Sequence, residues 1–118
     1  MYDPDVKVPP HVPQPTGYKL LVAMPKVKEK TEGGIIRPES LQDAEQVASI
    51  FGMVVDMGSL AYKDEEKFPT GPYCQKGDWI MFRSYSGTRM KIDGNEFRII
   101  NDDTVEAVVA DPSKIERA

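Results

Sequence analysis

Thr88-Arg89-Met90-Lys91-Ile92-Asp93-Gly94-Asn95-Glu96-Phe97-Arg98-Ile99-Ile100 is the stretch on which the fold turns. Residues 88–92 alternate, Asp93-Gly94 is a dipeptide suited to φ > 0, and Glu96–Ile100 resumes a period of two. Phe97 and Ile99 then share one face, and Arg98 and Ile100 the other. The pattern predicts a β-hairpin.

Working outward, Lys76-Gly77-Asp78 is a turn signal ahead of a strand at Trp79–Arg83. Farther upstream, the β-branched and aromatic run Ile50–Met57 reads as a strand closed by Gly58. Tyr18–Met24 reads as a buried strand stopped by Pro25, which has no N–H for a ladder. Downstream, Thr104–Val109 is a last strand before Asp111-Pro112 and a polar tail, 111–118. Six short strands, with helical spacing only where Leu41, Ala44 and Val47 or Ala48 follow Pro38, predict an all-β barrel or sandwich. The 118 residues suit one domain, 17–110, behind a proline-rich arm at 1–16.

Composition excludes several roles. A net charge of −4 argues against a nucleic-acid groove, and no apolar run approaches the roughly 20 residues of a membrane helix. Residues 1–16 hold five prolines and no apolar core, so they do not read as a signal peptide. Pro10 and Pro13 have the spacing of an SH3-type ligand, although no basic residue flanks them; the plainer reading is an arm lying on the surface. The lone Cys74 fits a reducing, cytoplasmic compartment and provides neither a disulfide nor a zinc cluster. His11 is the only histidine, which removes most His-based catalysis and metal binding. Neither an enzyme nor a cofactor is expected.

Two long gaps interrupt the strands. The second, about 59–75, carries Lys63-Asp64-Glu65-Glu66-Lys67 and then Pro69, Gly71 and Pro72. The first, about 25–49, runs through a charged stretch to Gly33-Gly34-Ile35-Ile36. Connections of that length are usually functional or disordered. Residues 25–37 carry +2, opposite in sign to the whole chain. Ile35-Ile36 reads either as a short strand edge tucked into the barrel or as the apolar tip of a loop that orders on a partner.

At this point the chain resembles the GroES-type co-chaperonins, the chaperonin-10 family, from about Gly17 to Val109. Gly33-Gly34-Ile35-Ile36 is similar to the family's Gly-Gly-Ile-Val-Leu, and Met53–Gly58 to Val-Val-Ala-Val-Gly. Lys76–Phe82 resembles Val-Gly-Asp-Lys-Val-Leu-Phe, and Tyr85–Asp93 resembles Tyr-Gly-Gly-Thr-Lys-Val-Val-Leu-Asp. Asp103-Thr104-Val105 stands where the family has Asp-Ile-Leu.

The resemblance implies a small, partly open GroES-like barrel with a long mobile loop and a roof hairpin or loop at 59–75. Its subunits would form a heptameric dome capping a GroEL-type chaperonin ring in an ATP-dependent cycle, enclosing client proteins. Gly33, Gly34, Ile35, Ile36 and Arg37 would meet the chaperonin's apical domains, and Tyr85 would lie near the dome interior. The first strand (Tyr18, Leu20, Val22) would pair with the last strand (Val105, Ala107, Val109) of a neighbouring subunit. No nucleotide, metal, nucleic acid or membrane is implied. The chain departs from the pattern at Arg37-Pro38, where the family has an apolar third tip residue, and in its longer loop and leader. Such divergence suits a member encoded by a phage, acting in its host's cytoplasm, or by an organelle.

Two other readings compete. An oligonucleotide-binding-type barrel for single-stranded nucleic acid or another protein would want aromatics exposed among basic residues. A fragment of a dehydrogenase with a GroES-like domain would want a Gly-x-Gly-x-x-Gly half, which this sequence lacks.

Overall fold

The computed structural model describes residues 2–3, 8–27 and 47–115. Its strands are β1 (Tyr2–Asp3), β2 (Lys19–Ala23), β3 (Lys26–Val27), β4 (Phe51–Met57), β5 (Trp79–Met81), β6 (Thr88–Ile92), β7 (Asn95–Asn101) and β8 (Ala107–Val109). Six form one antiparallel sheet in the order β6-β7-β2-β4-β5-β8, while β1 and β3 pair separately. The six-stranded sheet is not closed, giving the expected small, partly open all-β barrel.

The hairpin forms as its sequence dictates. Asp93 and Gly94 take φ of 53° and 80°, joining Ile92 to its register partner Asn95. Shifted pairing at Leu21/Val22 marks a bulge where β2 runs along β4, a device that bends a sheet toward closure. Gly58 is needed for a close crossing, because a Cβ there would lie 2.1 Å from the Gly17 carbonyl oxygen.

The inner core gathers Leu20, Val22, Val54, Ile80 and Ile100 from the sheet, with Phe82 just past β5. Ala61, Tyr62, Phe68 and Cys74 join it from 59–75, so that segment is a series of turns packed onto the barrel rather than a strand hairpin. Its charge run is used locally. The Asp64 carboxylate accepts from the Glu66 and Lys67 amides, and Lys67 Nζ reaches Asp103 at 2.6 Å. Tyr62, Phe68 and Tyr73 stack edge-on or tilted with ring centroids 4.8–5.3 Å apart.

A second apolar layer lies on the other face of β2 and β7, where Leu21, Ala23 and Phe97 are buried. Val12 from the arm packs on it with Val55, Met90 and Ile99, and Pro15 is buried too. The arm is thus anchored through Val12, while Val8, Pro10, His11, Gln14 and Thr16 stay exposed. Val47, Ala48 and Phe51 form a third cluster with Ile50, Trp79, Met81 and Ile115.

Two expectations change. The last strand starts at Ala107 rather than Thr104, because Asp102–Thr104 forms a 3-10 turn that delivers Val105 into the core at 7% exposure. β2 is hydrogen-bonded to β4 on one side and β7 on the other, and Leu20 and Val22 are completely buried. That strand has no open edge for a neighbouring subunit; among the described residues the open edges belong to β6 and β8. Of the long loop expected at about 25–49, residues 25–27 and 47–49 are described: Pro25, Val47 and Ala48 are buried, and Lys26–Val27 forms β3. Val47 and Ala48 are helical, and the rest of the helical turn expected before them lies outside the described residues, among which no helix is long and apolar enough to cross a membrane.

Candidate functional site

Gly33, Gly34, Ile35, Ile36 and Arg37 lie outside the described residues, as does the whole of 28–46. The structure does describe the platform that this segment leaves and rejoins. Met24 ends β2 by donating its amide to the Glu96 carbonyl at 3.0 Å, and Pro25 stops further pairing. At the return, Ile50 donates to Val47 and accepts from the Phe82 amide at 2.8 Å, which leads the chain into β4.

Between the two roots sits a charged cluster on the hairpin. Arg98 is only 1% exposed, and its Nε donates to Glu96 Oε2 at 2.8 Å. Its Nη1 donates to the Ser84 carbonyl, and its guanidinium lies 5.8 Å from the Phe82 ring centroid. Arg89 reaches the same Glu96 carboxylate with two donors at 3.1 and 3.3 Å. Burial pushes the Glu96 carboxyl up, but hydrogen bonds from Arg89 and Arg98 outweigh it and hold the group below its ordinary value. Roots and cluster together line one open groove of about 290 Å³.

The other expected positions are dispersed. Tyr85 is 76% exposed, and its hydroxyl accepts from Arg83, which also pairs with Glu106 at 3.5 Å. Tyr18 is half exposed beside the Lys19 ammonium. Ala107 and Val108 are exposed on β8 and Val109 is half-buried, whereas Val105 is in the core. Cys74 is buried within hydrogen-bonding distance of the Tyr62 hydroxyl at 3.4 Å, and burial raises its thiol pKa, the opposite of what a nucleophile needs. All four phenylalanines are buried and Trp79 packs on Phe51 at 5.7 Å, so these rings offer no base-stacking platform.

Sequence reasoning missed the Arg98 cluster and the contacts of Tyr2–Asp3 and Ile115. Only Asp111-Pro112-Ser113 carried a readable signal, since an Asp cap with Pro in the first turn opens helical turns.

A family model described as Chaperonin 10 Kd subunit matches residues 13–109. Similar proteins include the one named Co-chaperonin GroES from Caldicellulosiruptor saccharolyticus, 33% identical over 98 residues, covering 83% of this chain and 97% of that protein. The Co-chaperonin GroES of Thermotoga neapolitana is 38% identical over 87 residues, 74% of this chain and 84% of its own. That of Methylacidiphilum infernorum is 32% identical over 96 residues, 81% and 92% of the two chains.

Proposed function

Because the chain belongs to the chaperonin 10 family, we propose that it is a co-chaperonin that caps the open ring of a GroEL-type chaperonin in an ATP-dependent cycle. The observation that carries this reading is the family match across 13–109, a span that includes both anchored roots and the 28–46 segment between them. Ile35 and Ile36 dock in an apolar groove of the chaperonin's apical domains, Gly33 and Gly34 let the backbone turn, and Arg37 meets the groove's rim. The capped chamber encloses client proteins while they fold.

One loop binds weakly by itself. Each isoleucine contributes about 1.5–3 kcal/mol on burial, against about 1 kcal/mol for each backbone residue ordered. Assembly into a heptameric ring makes the later contacts intramolecular, so small gains multiply. β8 supports assembly: it is an edge strand with Val108 51% exposed, whereas the other edge, β6, carries Arg89 and Lys91.

The test replaces Ile35→Ser and Ile36→Ser together. The expected outcome is an assembled ring that no longer co-migrates with ATP-bound chaperonin in gel filtration. Undiminished co-migration would show that the tip lies elsewhere.

A further inference from the structure

Residues 1–12 and 110–118 fall outside the stretch that matches the family, yet each carries a contact onto one root of the 28–46 segment. Tyr2 and Asp3 are the antiparallel partners of Val27 and Lys26, on the outgoing side. On the returning side, Ile115 packs in the cluster of Val47, Ala48 and Phe51. The tail is shaped for this. Asp111 Oδ1 accepts from the Ser113 amide at 3.0 Å and the Ser113 hydroxyl at 2.6 Å. Pro112 is buried, the Lys114 amide donates to the Asp111 carbonyl, and the Ile115 amide donates to the Pro112 carbonyl at 3.3 Å. This 3-10 turn reverses the chain after β8 and sets Ile115 on the apolar cluster.

We propose that Tyr2–Asp3 and Ile115 are positioning elements: two grips that fix where the 28–46 segment departs and returns, and so tune its docking on the chaperonin. The tuning rests on the proposed function; the grips themselves do not. Neither grip is part of the six-stranded sheet, whose strands pair with one another without them. A released root must itself be ordered again in the proposed docking step. The expected loss is about threefold to tenfold in affinity per grip and per loop.

The experiment uses the full assembled protein, a form lacking residues 1–7, Ile115→Ala, and the two changes combined. Amide exchange is followed at 26–27 and 47–50 without chaperonin, together with emission from Trp79, the sequence's one tryptophan and a member of the Ile115 cluster. Each change is expected to speed exchange about threefold to tenfold at its own root only, and Ile115→Ala to shift Trp79 emission to the red. Capture by ATP-bound chaperonin should weaken in the same order, with exchange across β2 and β7 unmoved. Unchanged exchange at both roots overturns the proposal, and so does exchange that rises across β2, β4 and β7 as much as at the roots, which would mark general destabilisation. If the roots loosen as expected but the unmodified protein fails to bind chaperonin, the grips stand and the docking reading falls.

Discussion

Arg98→Ala tests whether the hairpin's buried cation is a structural requirement of the platform. The wild-type guanidinium is 1% exposed and is satisfied by Glu96, by the Ser84 carbonyl and by the face of Phe82. Alanine removes all three contacts and leaves a cavity. Glu96 would retain only Arg89, whose side chain is 63% exposed and whose pairing is worth at most about 1 kcal/mol. Removing one partner of a buried pair costs about 3–5 kcal/mol. Arg98→Met fills the volume without the charge and should recover about half of that loss.

The pH dependence provides the sharper test. The folded-state pKa of Glu96 is depressed, so its ionisation adds stability above its unfolded pKa, near 4.5, and that stability is lost as pH falls through the folded value. Once Glu96 is protonated in both states, Arg98 no longer has a carboxylate to stabilise. The gap between wild type and Arg98→Ala should therefore be widest near pH 7 and narrow as pH falls through the folded-state value of Glu96. The assay is urea unfolding at fixed protomer concentration, since the assembly proposed for the chain would be linked to its stability. A cost below about 1 kcal/mol at pH 7, or a gap as wide at pH 3 as at pH 7, would refute the reasoning.

Two further changes probe other links. Gly58→Ala drives a methyl group against the Gly17 carbonyl, which as backbone cannot swing aside; a cost of about 1–3 kcal/mol is expected in thermal unfolding, and an unchanged midpoint would show that the crossing is slack. Val108→Lys places a charge on the half-exposed edge strand; light scattering should report loss of the ring mass while circular dichroism retains the folded subunit, and an intact ring would move the interface off β8.

The hairpin was legible because its information is local: a period of two and an Asp-Gly turn need no partner to be recognised. β2 was legible as a strand but its place was not taken from its own residues. Leu20-Leu21-Val22-Ala23 is an uninterrupted apolar run, the mark of a strand covered on both faces, and it sits at the centre of the sheet. The subunit-edge expectation for this strand comes from the family resemblance and not from the run itself. The turns at 59–75 were opaque because Ala61, Tyr62, Phe68 and Cys74 follow no period, and the charges between them dominate the text. Alternation placed Arg98 on the face of Ile100, but its burial depends on the Ser84 carbonyl and on Phe82, both distant in sequence. Of the candidate site, the platform is described and the tip residues are not.

That division of the site has an energetic consequence for docking. Reading the loop as 25–49 assigns the ordering of every one of those residues to the binding step. In the structure the six residues 25–27 and 47–49 are already placed by β3, by the burial of Pro25 and by the Val47–Phe51 cluster. At about 1 kcal/mol per residue, that prior ordering spares the docking step up to about 6 kcal/mol per loop. The two isoleucines together contribute about 3–6 kcal/mol on burial. The two quantities are of the same size, so in the proposed docking the holding of the roots counts for as much as the two isoleucines. A departure from the family pattern at Arg37 is therefore tolerable wherever the platform makes up the difference.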